Sequence, residues 1–548
     1  MPHTTPDEAP PPADGAAVGA VTPAPTAPLA DEVWGLIGDP VDAYAVVATL
    51  ESIGWRDLDA QTEFGRADLF ALGAEVYALC KARAQRPAAA PRRDPRQRGA
   101  ATVRQFVRHY AKGLLFATPM LGQIALILIL SHSLWAWLYF SEAQATGVAV
   151  ATLLSLVVAG GFTQSIGREG IYHRSHENGR LAQQACRRLV LLGSATVVAV
   201  ALLGAGVAWM GVAVPAQAVA VGVTYFLLLA HLWLFLSILY VFEDFLGILA
   251  ITVLGVAPVD AVMRFTAWGI HVAHALGLLF ACALAAAAAH RHLARAARET
   301  KPELAGAELP PRSTTVYEVA PYFAYGVLYF TFLSVDRLNA WSAPTGSPGP
   351  YPLRFQTAYE LGMAWALVSL FLTLAALQYT VHLFSDVLIP RQKAFRADEL
   401  QRHNRYFRRF YRRHLALLLA TGAVSVAATY ALIETAAQLD AAGPLADLLA
   451  SRVTPFVFAV AAAGYLLLAV ALFNVLFFFT LARPRLVLRS ITPGVVANAA
   501  VGYAASRWLG YEFAVVGLLA GALVFAVVST ALAAGVFRRF DFYYYSAY

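Results

Sequence analysis

The sequence predicts an all-α integral membrane protein in which twelve transmembrane helices form two six-helix lobes, preceded by a small cytoplasmic helical module. Three observations predict this fold class. The 548 residues are 59% hydrophobic and 14% charged, with a mean hydropathy of +0.58, whereas soluble domains carry about 25% charged residues. Apolar runs of nearly bilayer-spanning length recur along the chain. Arginines gather in alternate loops between these runs.

The composition also excludes several classes of site. The net charge of +7 does not indicate a nucleic-acid partner, because the arginines recur between apolar runs instead of on one basic domain. The three cysteines are scattered and lack CxxC spacing, so neither a disulfide framework nor a thiolate metal site is predicted. His173, His176 and Glu177 match neither the HExxH nor the HxxEH zinc pattern. We therefore expect no metal and no cofactor.

The chain before the first apolar run has three segments of different composition. Residues 1–30 are rich in Pro and Ala and lack aromatic residues, which predicts a disordered tail. Residues 31–85 carry apolar side chains at helical spacings among acids, which predicts a small acidic helical module. Its few helices would bury a marginal core alone, so we expect it to pack on a partner or on the membrane domain. Residues 86–112 are a basic linker and juxtamembrane segment.

Twelve apolar runs follow, each close to the roughly 20 residues that a bilayer core about 30 Å thick requires. The predicted spans are Leu114–Phe140, Thr146–Thr163, Leu189–Met210, Ala216–Phe242, Phe245–Val262, Trp268–Ala289, Val319–Val335, Tyr359–Tyr379, Leu415–Ile433, Pro455–Leu481, Thr492–Ala505 and Phe513–Phe537. Pro258 and Asp260 interrupt the fifth run, which is the weakest. The connection at 291–317 separates lobe one, residues 113–290, from lobe two, residues 318–537.

The loop charges predict the orientation. Loops after even-numbered helices are rich in arginine, at residues 168–188, 291–301, 391–413, 483–489 and 538–539. Loops after odd-numbered helices are nearly free of bases. Because positive residues stay on the cytoplasmic side, we expect both termini, including the 538–548 tail, in the cytoplasm of a multi-pass protein of the bacterial inner membrane. Glu243 and Asp244 are the exception, after the fourth helix. The basic aromatic block at 391–413 also suits contact with anionic lipid headgroups.

Polar side chains within the apolar runs are candidate functional residues, because each costs a few kcal/mol unless it faces a partner or a water-filled cavity. They include Gln123, His132, His231, His271, His274, Asp336, Arg337 and Glu360. Asp336 and Arg337 stand about 100° apart on a helix and cannot pair optimally with each other. Glu360 is the nearest obvious partner of Arg337, although all three could also be solvated at the outer interface. His271 and His274 share a helix face, where they could relay protons, bind an anionic sugar or form an interhelical hydrogen bond.

Several stretches together resemble a known family. Pro321, Tyr322 and Tyr325 precede SVDRLNAW at Ser334–Trp341, and AYELGMAWAL follows at Ala358–Leu367. With FTQSIGREGIYHRSHENGR at the end of the second span, these stretches resemble the Pel-type polysaccharide exporters of the multidrug, oligosaccharidyl-lipid and polysaccharide flippase superfamily. The resemblance covers about residues 112–537, and the acidic N-terminal module and the long loop between helices seven and eight depart from it.

The resemblance implies a two-lobed, alternating-access transporter that moves a polysaccharide or a lipid-linked glycan outward, usually alongside a cytoplasmic glycosyltransferase. We expect residues 31–85 to contact such a glycosyltransferase or other subunits of an export complex. It transfers Asp336, Arg337, Tyr359 and Glu360 by position, and Arg168 more weakly. The leading hypothesis is therefore a flippase-like exporter with one central polar cavity. The candidate residues of that cavity are Gln123, His132, Arg168, His231, His274, Asp336, Arg337, Tyr359 and Glu360.

Three alternatives stay open at this stage. The chain could be a small-molecule or drug efflux carrier, a membrane-embedded glycan polymerase, or a scaffold that docks a cytoplasmic partner through residues 31–85. The sequence has no P-loop, no GxSxG elbow and no kinase signature. A polymerase would also want acidic catalytic residues in a sizeable extramembrane loop, and the outer loops are short. We therefore predict that the chain is not an enzyme.

Overall fold

The computed structural model describes residues 26–85, 95–209, 216–304, 306–344, 352–394, 400–439 and 451–545. These ranges are helical and contain no β-strand, which confirms the all-α fold class. The chain divides into two compact units. The first comprises residues 1–93 and 385–403, and the second comprises residues 94–384 and 404–548.

Four helices of the first unit enclose a small hydrophobic core. They are α1 (Ala27–Ile37), α2 (Ala43–Ser52), α3 (Asp57–Thr62) and α4 (Leu69–Gln85). The core contains Val33, Val46, Leu50, Leu72 and Val76, all buried. A polar side chain caps the start of α2: the Asp42 carboxylate accepts a hydrogen bond from the Ala45 amide at 2.8 Å, which satisfies a free donor of that helix.

The end of the predicted tail belongs to this module. Residues 27–30 form the first turn of α1, so the expectation of disorder through residue 30 is wrong for these residues. Leu29 is only 4% exposed because it packs into the module core. Gly38 ends α1 with a φ of 74°, a conformation that suits glycine. The rest of the predicted tail, residues 1–25, lies outside the described residues.

The membrane helices are α5 (Pro95–Leu130), α6 (Glu142–Ser175), α7 (Gly179–Trp209), α8 (Ala216–Val241), α9 (Phe245–Leu254), α10 (Val256–Phe265), α11 (Ile270–Arg298), α12 (Arg312–Phe332), α13 (Val335–Trp341), α14 (Thr357–Ala394), α15 (Leu400–Leu439), α16 (Val453–Thr480), α17 (Pro484–Trp508), α18 (Val515–Arg538) and α19 (Phe540–Tyr545). The second unit contains these helices, except that the end of α14 and the start of α15, within residues 385–403, belong to the first unit. Every predicted apolar run overlaps one of the membrane helices.

The structure does not confirm the predicted number of membrane spans when helices are judged by their length and composition. Nine stretches of the described chain are long and apolar enough to cross a membrane, or ten when the bent helix α5 is counted. The count of twelve is therefore not confirmed. Helices α12 and α17, on which the seventh and eleventh runs lie, are not among the nine. Helix α12 contains Arg312 and Glu318, and α17 has arginines at both ends. These charged residues lower the mean hydropathy of each helix.

The first predicted span departs from a straight helix in two ways. Helix α5 bends by 59° between Val103–Leu115 and Ala117–Ile127, because Pro119 cannot donate to the Leu115 carbonyl and crowds it. The Thr118 hydroxyl donates to that carbonyl instead, at 2.7 Å. The span also stops at Leu130 and not at Phe140, because Ser131 adopts a φ of 63° and reverses the chain.

The weak fifth run is interrupted at Gly255, which separates α9 from α10. A Cβ on Gly277 of α11 would lie 2.6 Å from the Gly255 carbonyl oxygen, so glycine permits this close crossing. The acidic turn before α9 has a structural role. Asp244 accepts from the Gly247 amide at 2.9 Å and pairs with His292 of α11 at 2.9 Å. These contacts give Asp244 a structural role in a loop where arginines were expected.

Two predicted boundaries also move. The connection assigned to residues 291–317 is partly helical, because α11 continues to Arg298 and α12 begins at Arg312. The seventh run, Val319–Val335, ends as a helix at Phe332, and α13 starts after a short turn at Val335. The 538–548 tail contains α19.

The two lobes meet along helices α6 and α12. A Cβ on Gly326 of α12 would lie 2.2 Å from the Gly160 carbonyl oxygen of α6, so the two backbones touch. Helices α5 and α14 form a second crossing, where a Cβ on Gly113 would lie 2.5 Å from the Ala375 carbonyl oxygen. The Tyr110 hydroxyl donates to the Leu372 carbonyl there, at 3.0 Å. Small residues permit such close helix packing in membranes.

Candidate functional site

Four of the predicted site residues meet in lobe two, where α13 and α14 pack together. The Tyr359 hydroxyl donates to the Asp336 carboxylate at 2.9 Å. The Arg337 guanidinium pairs with the Glu360 carboxylate, as the sequence predicted. Trp341 Nε1 donates to the second oxygen of Glu360 at 3.0 Å. We call these five residues the lobe-two charge cluster.

The charged side chains of this cluster are largely buried. Asp336 is fully buried, and the side chains of Arg337 and Glu360 are only 16% and 11% exposed. Asp336 and Arg337 are adjacent on α13 and diverge to separate partners on α14, as their angular separation requires. One oxygen of Asp336 and Nε of Arg337 are buried without a hydrogen-bond partner among the described residues. The cluster therefore has one acceptor and one donor that could still form hydrogen bonds.

A second polar cluster lies in lobe one. The Tyr225 hydroxyl of α8 lies 2.6 Å from Nδ1 of His274 and 3.4 Å from Nδ1 of His271, both on α11. His132 Nε2 approaches the Asp260 carboxylate at 3.5 Å. His274 is fully buried, and its Nε2 has no hydrogen-bond partner among the described residues. The interhelical hydrogen bond considered for the histidine pair is thus present.

Gln123 supports the turn that carries His132. Its Nε2 donates to the Thr252 carbonyl at 3.1 Å, and its Oε1 accepts from the Leu134 amide at 2.9 Å. The side chain therefore joins α5, the end of α9 and the turn after α5. In this structure it satisfies backbone groups and does not face either cavity described below.

Arg168 and His231 lie apart from both clusters. The Arg168 guanidinium lies 4.7 Å from the Tyr172 ring and 5.6 Å from the Tyr322 ring of α12. His231 Nδ1 lies 2.8 Å from the Leu227 carbonyl of its own helix. None of the nine predicted residues lines either cavity described below, and their contacts place them in several separate groups, so a single central cavity lined by all nine stays a prediction. Among the described residues, no group of three His, Cys, Asp or Glu side chains could hold a metal.

Lobe one contains a cavity of about 490 Å³ that the sequence did not reveal. It lies between α6, α7 and α8, and Pro352 and Leu353 of lobe two also line it. Most lining residues are small or aliphatic. The polar ones among the described residues are Gln144, Thr146, Gln217 and His271. Glycine and alanine carry no chemical signature, so only the density of small residues on these three helices could have indicated it.

The lobes also touch at the edge of this cavity, on the side predicted to be extracytoplasmic. Arg354 Nε lies 2.7 Å from the Glu142 carboxylate, and the Phe355 amide donates to the Thr146 hydroxyl at 2.9 Å. We call these four residues the outer contact. The Arg354 amide in turn donates to the Trp341 carbonyl at 2.8 Å, so the outer contact is continuous with the lobe-two charge cluster.

No protein-family model and no curated protein sequence matches this chain. Solved structures do match it. A multidrug resistance MATE family transporter of the MOP superfamily, in its outward-facing conformation, gives a TM-score of 0.53 at 11% identity, over 79% of this chain and 95% of that one. The Vibrio cholerae MATE transporter VcmN gives 0.55 for a point mutant and 0.53 for its bent form, both at 14% identity, over 81% of this chain and 99% of that one.

At this level of identity the likeness concerns the fold. The sequence resembles members of the multidrug, oligosaccharidyl-lipid and polysaccharide flippase (MOP) superfamily, and the first of these structures belongs to that superfamily. The narrower resemblance to Pel-type polysaccharide exporters is not confirmed. The all-helical membrane unit of this chain has the fold of the MATE family transporters.

Proposed function

We propose that this chain is a membrane transporter that exports a small, largely apolar molecule by alternating access. The observation that carries the proposal is the cavity in lobe one. Its volume of about 490 Å³ lies within the range of roughly 300–1,000 Å³ typical of small-molecule sites, which are mostly apolar with a few polar groups that fix orientation. The MATE fold supports the proposal, because one matching structure is that of a multidrug resistance transporter.

The lining of the cavity favours such a molecule over a polysaccharide. A glycan carries many hydroxyl groups, and each of them loses hydrogen bonds to water unless the site replaces them. Only four polar side chains line this cavity among the described residues. An apolar molecule meets no such penalty and gains from leaving water. We therefore favour small-molecule efflux over the export of a glycan, which was the leading hypothesis from sequence.

The outer contact is suited to open during transport. Its ion pair is partly solvated, with the Glu142 side chain 52% exposed and the Arg354 side chain 29% exposed. Solvated ion pairs contribute little to stability, so separating this pair costs little. The glycine crossing of α6 and α12 is a backbone contact at a different level, and we propose it as the pivot about which the lobes rock.

The lobe-two charge cluster would hold the lobe-two side of the outer contact in place. Glu360 binds the Trp341 indole, and the Trp341 carbonyl accepts from the Arg354 amide. The Trp341 ring also lies 5.7 Å from the Phe355 ring. Through these contacts the buried pair of Arg337 and Glu360 fixes the segment that meets Glu142 and Thr146. In this proposal the cluster positions the outer contact and does not bind the transported molecule.

A transport assay with purified protein in proteoliposomes tests this function. The probes are small aromatic dyes and a fluorescently labelled oligosaccharide. Gly222→Phe places a ring on α8 at the cavity wall, where a Cβ has no heavy atom within 4 Å. Gly206→Phe on α7 is the matched control, because its Cβ is equally free and Gly206 does not line the cavity.

We expect wild type and Gly206→Phe to move at least one dye. Gly222→Phe should weaken dye transport at least about tenfold, the equivalent of about 1.4 kcal/mol of lost binding. Transport of the oligosaccharide without any dye would overturn the proposal in favour of glycan export. Equal dye transport by the two phenylalanine variants would remove the cavity from the pathway.

A further inference from the structure

Lobe two has a second cavity, of about 450 Å³, at the opposite end from the outer contact. It lies where α16 turns into α17, beside the start of α12, and Tyr543 of α19 also lines it. The lining includes Arg483, Arg485 and Arg489 but a single acid, Glu318. The cavity therefore concentrates positive charge in a concave site, which focuses the electrostatic potential on an anion inside it.

Tyrosines orient two of these arginines. Arg485 Nη2 donates to the Tyr317 hydroxyl at 2.6 Å, and its guanidinium lies 5.8 Å from the centre of that ring. The Arg483 guanidinium lies 5.5 Å from the Tyr543 ring. The hydroxyl and ring of Tyr317 hold the Arg485 guanidinium in place without neutralising its charge. Among the described residues, no carboxylate pairs with Arg485 or Arg489.

The backbone adds to the same field. Helix α17 has 25 residues and begins at Pro484, within the cavity lining, and Arg483 at its N-cap forms no side-chain capping hydrogen bond. The positive end of the helix dipole thus lies beside the arginines. Arg538 and Arg539, at the end of α18, provide a comparison, because they are exposed at the predicted cytoplasmic side and do not line the cavity. Arginines that serve only to orient the protein in the membrane do not need to line a cavity.

We propose that this cavity binds a phosphate-bearing anion, from either a phospholipid headgroup or a soluble phosphate. Guanidinium groups suit this class because their parallel N–H donors match two phosphate oxygens. Basic pockets between helices on the cytoplasmic side of membrane proteins bind acidic headgroups in this way. The proposal concerns a site separate from the transport cavity and does not depend on the transported molecule.

Thermal unfolding of the purified full-length protein tests the proposal and separates the two sources. In one arm the protein is in phosphatidylcholine nanodiscs with or without phosphatidylglycerol. In the other arm inorganic phosphate is added in a neutral detergent at constant ionic strength. Arg485→Gln/Arg489→Gln removes two charges from the cavity. Arg538→Gln/Arg539→Gln is the matched control, because it removes two charges outside it.

We expect wild type and the control to be stabilised by the anion in at least one arm, with a saturable midpoint. The cavity variant should require at least about tenfold more anion, which corresponds to about 1.4 kcal/mol. A response only to phosphatidylglycerol assigns a lipid headgroup, and a response to inorganic phosphate assigns a soluble ligand. Equal responses of all three proteins, or no response of any, would overturn the proposal.

Two further variants keep the test valid if the double variant does not fold. Arg489→Gln changes an exposed side chain alone and should weaken the anion response severalfold. Tyr317→Phe keeps every charge but removes the hydroxyl that holds Arg485, so it should also weaken the response. Wild-type anion responses in both single variants would contradict the assignment of these residues to the site.

Discussion

Replacing Arg337 with methionine should destabilise the protein far more than replacing an exposed arginine. The variant leaves the Glu360 carboxylate, 11% exposed, without its guanidinium partner. Removing one member of a buried ion pair costs about 3–5 kcal/mol, because the remaining charge stays buried and uncompensated. The Trp341 indole still donates to Glu360, but it carries no charge, so we expect a loss within this range.

The matched control is Arg295→Met. Arg295 pairs with Glu299 at 2.8 Å, and their side chains are 81% and 64% exposed. Exposed pairs of this kind contribute little to stability, because water screens the two charges. Denaturant titration of both variants in detergent measures the difference. In addition, Arg337→Met/Glu360→Leu should be more stable than Arg337→Met, because no uncompensated buried charge remains, although the buried Trp341 indole loses its acceptor. A loss in Arg337→Met no greater than in Arg295→Met would refute the reasoning.

Three further predictions concern other contacts. Gly326→Ala places a Cβ 2.2 Å from the Gly160 carbonyl oxygen, so unfolding measurements should show a loss of stability of about 1–3 kcal/mol. Gly147→Ala is the control and should lose almost no stability, because its Cβ would have no atom within 4 Å. Equal losses in the two variants would argue against the crossing of α6 and α12. Trp341→Phe removes the hydrogen bond to Glu360 and should cost about 1.5–3 kcal/mol, and a loss of the same size in a Glu360→Leu background would contradict that origin. In the first unit, hydrogen bonds from Arg66 and Thr26 lower the pKa of Glu75. The contribution of Glu75 to stability is therefore present above the unfolded pKa of about 4.3 and is lost as the pH falls through the folded value. Hydrogen exchange of α4, corrected for intrinsic rates, should show weaker acid sensitivity in Glu75→Gln than in wild type, and identical pH profiles of the two proteins would contradict this prediction.

The sequence predicted the membrane fold because hydropathy and loop charge depend on composition, which needs no knowledge of packing. Every predicted run overlaps a helix, and α9 and α10 are separated in the run that Pro258 and Asp260 had marked as weak. The departures have local causes. Ser131 adopts a positive φ that nothing in its residue type requires, so the end of α5 could not be placed. The acids at 243 and 244 contradicted the loop rule because Asp244 binds the distant His292.

Contacts within the candidate site could be predicted from the sequence only between residues on helices that are consecutive in the chain. Arg337 and Glu360 lie on two such helices, α13 and α14, so their pairing could be expected. Tyr225, which joins the two histidines of α11, lies on another helix, and hydropathy does not report which helices are neighbours. The cavity lined by Gly147, Gly204 and Gly222 was missed because small residues indicate close packing as readily as empty space. Short motifs pointed to the superfamily of one matching structure but could not identify the transported molecule.

Disulfide trapping of the outer contact tests the proposed alternating access most directly. Thr146→Cys/Phe355→Cys places two thiols where the Phe355 amide lies 2.9 Å from the Thr146 hydroxyl, and the native Cys80, Cys186 and Cys282 are buried. The readout is dye transport in proteoliposomes before oxidation, after oxidation and after reduction, beside each single-cysteine variant. We predict that oxidation stops transport in the double variant alone and that reduction restores it. Undiminished transport by the fully cross-linked protein would show that this contact does not open, and would contradict the proposed mechanism.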